Sequence, residues 1–213
     1  MEKRYVMTDN KRSITISGVE HILYQICALR TIYNPFMTIR KGQLGGFIES
    51  ERQLSQKGES WIDENSLVIG NSRIKESAFL SNTTVIDAWI HGKAFLNDVK
   101  FISDDNNKPA IIYEQAYIHK THIIGGSIVL GNVDISLSLI NDTILRDSVS
   151  VSKAQIKGSI LQDDVKIMNS IIHDSEIYGN GEIDNSKIIG ITQKLNFVTI
   201  QNATISYLSI KED

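Results

Sequence analysis

From Ile62 almost to the end of the chain, an aliphatic residue recurs every five or six positions. The series opens with Ile62, Val68, Ile74, Leu80 and Ile86, and Ser66, Ser72, Ala78 and Thr84 stand two places before the last four. It runs on through Ile135, Ile140, Leu145, Val151, Ile156, Leu161, Ile167, Ile172, Ile177, Ile183 and Ile188. An amphipathic helix repeats every 3.6 residues and a half-buried strand every 2.0, so neither accounts for this spacing. A chain that turns a corner after every short strand and stacks coil upon coil does account for it, because each side then contributes one inward residue per coil. The predicted fold is all-β: a single-chain parallel β-helix with triangular coils of about 16–18 residues and a small N-terminal β cap.

Two rhythms are visible. Between Ile62 and Ile86 the steps are six residues long; the phase then slips to Ile90 and recovers at Leu96. From Ile135 the steps become 5, 5 and 6, so that Ile135, Val151, Ile167 and Ile183 are 16 residues apart. Three anchors per 16 residues define a three-sided coil. The positions between anchors carry pairs such as Gly70-Asn71, Asn141-Asp142 and Asp184-Asn185, residue types that tolerate turn dihedrals. Abundant Ile and only two prolines suit many short strands with β-branched interiors.

Residues 1–43 lack the ladder and read as an N-terminal β cap. Within them Ser13 to Ser17 alternates, Gly18 breaks the pattern and His21 to Leu29 is a longer apolar run, which together predict a hairpin or two adjacent strands. Such a cap would shield the unpaired backbone groups that a solenoid end exposes. Residues 44–61 form a junction rich in Gly and ending in Trp61, and residues 62–213 form the β-helix. The polar run Ser103 to Pro109 is expected as a loop extruded at a corner; the break at Gly190 to Asn196, before the anchors Ile200, Ile205 and Ile210, is expected as a C-terminal cap after residue 190 or a second extruded loop.

The six-residue units resemble the hexapeptide repeat of left-handed β-helix proteins, and that likeness, not the periodicity, implies a left hand. The junction carries a closer likeness. Gly42-Gln43-Leu44-Gly45-Gly46-Phe47-Ile48-Glu49, then Leu54-Ser55-Gln56 and Gly58-Glu59-Ser60-Trp61-Ile62, is similar to a motif of the YdcK-like single-chain β-helix proteins of bacteria and their phages. The resemblance covers roughly residues 20–96; the C-terminal half matches in architecture only. That family is commonly labelled as transferases by analogy, and it brings no catalytic motif to carry onto this chain.

Composition narrows the function classes. The net charge of −3, divided as +2 before and −5 after Phe95, argues against a nucleic-acid groove. No apolar run approaches the ~18 residues of a membrane helix, and Met1-Glu2-Lys3-Arg4 leads into no signal-like segment, so the expected location is the cytoplasm. A single cysteine, Cys27, sits in an apolar run and is expected as a buried thiol. No Cys/His cluster has metal-ligand spacing, so neither a metal nor a cofactor is expected.

Candidate sites must be weighed against the demands of the repeat. Hexapeptide acyltransferases use a histidine to deprotonate an acceptor, and a general base needs a cleft and usually an orienting partner. Of the five histidines, His91, His119 and His173 each follow an inward anchor and so belong at outward corners. His119 and His122, flanking one corner, are the weak catalytic candidates. Gly125-Gly126 precedes no helix and reads as a corner, not a phosphate cradle. Asp163, Asp164, Asp174 and Asp184 read as corner residues that diverge outward, not as converging ligands. Trp89 lies at an outward position; beside Phe79 and Phe95 it would form an apolar patch for protein contact.

The function expected from these readings is a non-enzymatic β-helical scaffold or protein-binding module, partnered by another protein or by itself. The alternatives are an acyltransferase-like enzyme and a phage accessory protein that inhibits a host factor.

Overall fold

The computed structural model describes residues 2–102, 108–124, 126–136, 139–141, 144–146, 148, 150–152, 155–157, 160–161, 165–168, 171–173, 176–177, 181–184, 187–189, 198–201 and 204–206. Among these residues there is no helix. The short strands stack in parallel into three sheets, so the chain is an all-β solenoid. The first elements are β1 (Tyr5–Ile16), β2 (Val19–Ala28), β3 (Ile32–Tyr33), β4 (Thr38–Ile39), β5 (Leu44–Ile48), β6 (Trp61–Ile62), β7 (Leu67–Ile69) and β8 (Arg73–Ile74). A twelve-stranded face contains β1, β2, β5 and β7; a nine-stranded face begins at β6; a seven-stranded face begins at β8.

The coils are in one-to-one register. Leu80, Leu96, Ile118 and Ile135 stack on the nine-stranded face, and Ile74, Ile90, Ile112 and Val129 on the seven-stranded one. All eight are buried. On the twelve-stranded face the register corrects the sequence reading. Val85, not Ile86, pairs with Val68 and points inward; Ile86 is half-buried, and the small residue at the corner is Thr83, not Thr84. The run Thr83-Thr84-Val85-Ile86 is β-branched throughout and would serve in either phase. The corner decides: Asp87 adopts a left-handed φ of 48° immediately after Ile86, which leaves Val85 as the central residue of its strand. The 5, 5, 6 rhythm therefore already runs through Leu80, Val85, Ile90 and Leu96.

Most described corners bury a small residue, such as Ser66, Ser72, Ala78, Ala88, Ala94 and Ala116, and Ser72, Thr121 and Ser127 are satisfied locally. Ser72 Oγ donates to the Ile69 carbonyl at 2.6 Å and accepts from the Ala88 amide of the next coil at 3.3 Å. Thr121 Oγ1 donates to the His119 carbonyl at 2.9 Å and Ser127 Oγ to the Ile124 carbonyl at 3.0 Å. A hydroxyl that pairs with the backbone it turns removes the penalty of burying it. Glu76, Glu114 and Lys120 also take left-handed φ at corners, alongside the expected Asn, Asp and Gly. At Gly92, φ is 76° and a Cβ would lie 2.5 Å from the Glu114 carbonyl oxygen, so no other residue type fits there.

β1 and β2 form the predicted hairpin, closed by Ser17-Gly18, both at positive φ. Positive φ at both central residues gives a turn whose twist matches the flanking strands. β5 is the pivot: it pairs antiparallel with β2 and parallel with β7, so the cap is hydrogen-bonded into the solenoid. Its tandem glycines serve close approach, not positive φ. A Cβ at Gly45 would lie 2.7 Å from both Ile26 Cγ1 and Trp61 Cζ2, and one at Gly46 would lie 2.5 Å from the Asp63 carbonyl oxygen.

After the expected break, Val198–Gln201 and Thr204–Ser206 pair in parallel with Gly181–Asp184 and Lys187–Ile189. Residues 198–201 and 204–206 thus continue the parallel stack. Residues 103–107 lie outside the described set; Phe101 and Ile112, which occupy successive faces, are 11 residues apart, against five for Val85 and Ile90.

Candidate functional site

Alternation along each strand sends the neighbours of every buried anchor outward, so the outer faces are read as columns. On the nine-stranded face one column is aromatic: Trp61, Phe79, Phe95 and Tyr117 lie in register. The segment between β3 and β4 crosses this column as a strap. Asn34 holds it by donating Nδ2 to the carbonyls of Glu59 and Ser77, each at 2.9 Å, while Asn34 Oδ1 accepts from the Phe36 amide. Phe36 then packs on Phe95 at 5.1 Å and edge-on to Tyr117 at 5.8 Å between ring centroids. Phe79 and Phe95 stack at 5.8 Å beneath it. Beyond the strap the same column becomes Asp134, Ser150, Lys166 and Glu182, with Lys166 and Glu182 paired at 3.4 Å.

This arrangement corrects the expected contact patch. Phe79 is 4% exposed and Phe95 half-buried, both occupied by the strap, and Trp61 is fully buried. Trp89 is 43% exposed but belongs to the seven-stranded face, so the structure does not bring it together with Phe79 and Phe95. Sequence reasoning missed the strap because its signal, the Asn34-Pro35-Phe36 turn, specifies a bend and not a destination.

Instead, Trp89 opens a different column. Arg73, Trp89, Ile111, Ile128 and Ile144 are in register on the seven-stranded face, and Ile160 and Glu176 hold the next two positions. Beside them run His91, Tyr113 and Leu130. Tyr113 is 41% exposed; Ile111, Ile128, Ile144 and Leu130 are half-buried. A groove of about 490 Å³ lies at the start of this file, lined by Asn71, Arg73, Asp87, Trp89 and Pro109.

The two candidate histidines are not brought together. His119 and His122 stand on two faces either side of the Lys120-Thr121 corner. Asn97 and His119 are joined Nδ2 to Nδ1 at 3.1 Å; the amide nitrogen can only donate, so the Nδ1 lone pair is engaged by an amide and not by a carboxylate. His122 is exposed, in register between Lys100 and Leu139. Neither histidine lines the groove at Arg73 and Trp89, the one at Glu76 and Tyr113 or the one at Met37 and Trp61. His91 is half-buried against Tyr113, with ring centroids 6.0 Å apart. Burial, then Lys75, hold it below the usual histidine range against the opposing pull of Glu76. The side chain of His173 lies outside the described residues, as do Gly125, Asp163, Asp164 and Asp174.

Among the described residues no three His, Cys, Asp or Glu side chains gather as a metal site, and no helix is long and apolar enough to cross a membrane. Cys27, expected as a buried thiol, is half-buried because it sits on the outward side of β2.

One charged network ties the cap to the first coil. His21 Nδ1 pairs with Glu49 Oε1 at 2.7 Å, and Glu49 Oε2 accepts from Gln53 Nε2 at 3.0 Å and from the Gly70 amide. Gln53 is buried and also donates to the Gly70 carbonyl at 2.8 Å. Burial alone would raise the Glu49 carboxyl, but the hydrogen bonds from His21, Gly70 and Gln53 outweigh it and hold the group below the usual carboxylate range. A carboxyl with a depressed folded-state value contributes stability above its unfolded value of ~4.3 and loses it as pH falls through the lower folded one. Glu49→Gln is therefore expected to melt below wild type at pH 7, with the difference narrowing as the pH is taken down through 4. Parallel melting curves at every pH would remove Glu49 from the acid response.

Compared in sequence with family models and with curated proteins, the chain matches none.

Proposed function

We propose that this protein is a non-enzymatic β-helical scaffold that binds protein through its seven-stranded face. The observation that carries this reading is Trp89, which keeps 43% of its surface exposed on a rigid sheet beside an exposed Tyr113. Amphipathic aromatics on a fixed backbone lose little side-chain entropy on contact and make good anchors for a protein partner. Support also comes from the candidate His119, whose Nδ1 is engaged by the Asn97 side-chain amide.

Both aromatics are outward, so their replacement by serine should leave the melting temperature within a few degrees. Immobilised wild-type protein is expected to retain a partner from its native host that the Trp89→Ser/Tyr113→Ser variant does not. Equal retention by both would count against this face.

A further inference from the structure

The cap hairpin outruns the sheet that carries it. β5 pairs with β2 no further toward the turn than Tyr24 opposite Ile48, so residues 11–23 project past β5 as a two-stranded arm. Two strands alone are marginal in water, and a third strand or a packed face is needed to steady them. The base of the arm is held, with Arg12 over the Phe47 ring at 5.2 Å and His21 bonded to Glu49 at 2.7 Å. Toward the tip the apolar side chains are uncovered: Val19 is 58% and Ile22 46% exposed, and Ile14 and Ile16 are half-buried.

The outer edge of β1 is closed along only part of its length. At its start Gln56 acts as a stand-in strand, accepting from the Arg4 amide and donating to the Tyr5 carbonyl. Between Met7 and Lys11 the strand bulges and bonds to itself and to β2: the Asn10 amide donates to Thr8 Oγ1 and Asn10 Nδ2 to Gln25 Oε1. Past the bulge the edge is open. The tight Ser17-Gly18 turn makes Ile16 and Val19 exchange main-chain bonds, so by alternation Ser13 and Thr15 point theirs away from β2. β1 ends its sheet, and among the described residues no strand meets this edge. The β2 side of the arm differs, because Glu49 stands beside it, bonded to His21.

We infer that this edge is completed by the same edge of a second copy, antiparallel to it about a two-fold axis at Ile14. Ser13 of each copy then pairs through its main chain with Thr15 of the other, about four hydrogen bonds in all. Ile14 meets Ile14, and the stem of Arg12 lies beside Ile16. Ser13 Oγ already donates to Glu20 Oε1 at 2.5 Å, which leaves it free to accept from the Thr15 hydroxyl opposite. Apolar against apolar and hydroxyl against hydroxyl are the cross-strand pairs that stabilise a sheet. The neighbouring centres are worse: an axis at Arg12 opposes two guanidinium groups, and one at Ser13 sets each Ile14 against an Arg12. Two arms so joined make four strands, enough for a sheet that stands in water. The contact is short and suits a dimer of about 10–100 µM.

In sedimentation equilibrium of the full chain between about 1 and about 300 µM, wild type is expected to pass from monomer to dimer. Thr15→Pro removes an outward N–H, leaves the bonds between β1 and β2 in place and is expected to weaken the dimer at least about tenfold. Ile14→Lys opposes two ammonium groups on the axis and provides a second variant, with the same expected loss, should Thr15→Pro fail to give the wild-type circular dichroism spectrum. Disulfide trapping locates the axis. Directly opposed residues of a non-hydrogen-bonded pair lie about 4.5 Å apart at Cα, within disulfide reach. In a Cys27→Ser background, oxidation with copper phenanthroline is expected to link Ile14→Cys to its copy. Val19→Cys, on a more exposed position that the pairing keeps apart from its copy, is expected to stay unlinked. A wild type that stays monomeric throughout, a dimer indifferent to both Thr15→Pro and Ile14→Lys, or linkage at Val19→Cys as ready as at Ile14→Cys would each overturn the inference. The arm shares no residue with the seven-stranded face, so the loss of a host partner by the Trp89→Ser/Tyr113→Ser variant would survive any of those outcomes.

Discussion

Ile135→Asp is expected to abolish the folded state at ordinary temperatures, or to lower its stability by about 4 kcal/mol or more. Ile135 is fully buried in the inward stack of the nine-stranded face, in register between Ile118 and Val151. The aspartate would lose the packing of an isoleucine and would have to be buried either charged or protonated. Because each coil rests only on its neighbours, the damage is transmitted along the stack. The control is one residue away. Asp134 is exposed on the same strand, and Asp134→Asn should change stability by less than about 0.5 kcal/mol. Chemical denaturation of the three proteins decides the matter, and equal midpoints for wild type and Ile135→Asp would mean that the inward register is wrong. Ile167, further along this stack, pairs with Val151 and Ile183 through its backbone, while its side chain lies outside the described residues.

The second large effect is expected at Arg4. Its guanidinium is fully buried, donating Nη1 to the Ser60 carbonyl at 3.0 Å and Nη2 to the Ser55 carbonyl. Burial pushes it down to about 10, still charged at neutral pH. Arg4 thereby fastens the N-terminal strand to both ends of the segment that leads into Trp61. The backbone of the same strand is held as well, since Gln56 accepts from the Arg4 amide at 2.8 Å and donates to the Tyr5 carbonyl at 3.1 Å. Arg4→Ala removes the side-chain donors, leaves two carbonyls short of partners and opens a cavity at the cap, a loss of roughly 3–4 kcal/mol. Lys3 is the contrast. Its ion pair with Glu51 at 2.6 Å lies in solvent, and Lys3→Ala should be close to silent. Comparable destabilisation by the two substitutions would refute the clamp.

These two predictions mark what the sequence makes legible. Ile135 is readable because a solenoid repeats its demand at every coil, so a run of equivalent positions reports one environment. The inward stacks and the hairpin at Ser17-Gly18 rest on periodicity or on turn chemistry. Arg4 is unreadable for the opposite reason: its environment occurs once and is supplied by residues more than fifty positions away. The Phe36 strap fails the same test, which is why Phe79 and Phe95 looked available for contact. Ile86 marks a third kind of failure, where local composition fits two phases and only the corner at Asp87 selects one. The protein-binding face combines the two cases. Trp89 was recognisable as outward, but its neighbours Ile111 and Ile128 follow only from the pairing of distant strands.

The one-to-one stacking of coils has a metrical consequence. Every coil of three inward anchors advances the rod by one interstrand spacing, ~4.8 Å, whatever their side chains. Length is therefore counted in whole turns, and a chain of this kind could lose the sixteen residues from Val129 to Ile144 with Leu145 falling into the place vacated by Val129. Such a deletion would shorten the seven-stranded face by one rung and leave the cap, the strap and the chemistry of every remaining corner as they are. In this molecule distance is a quantised, heritable property, set by the number of repeats and independent of what any single repeat says.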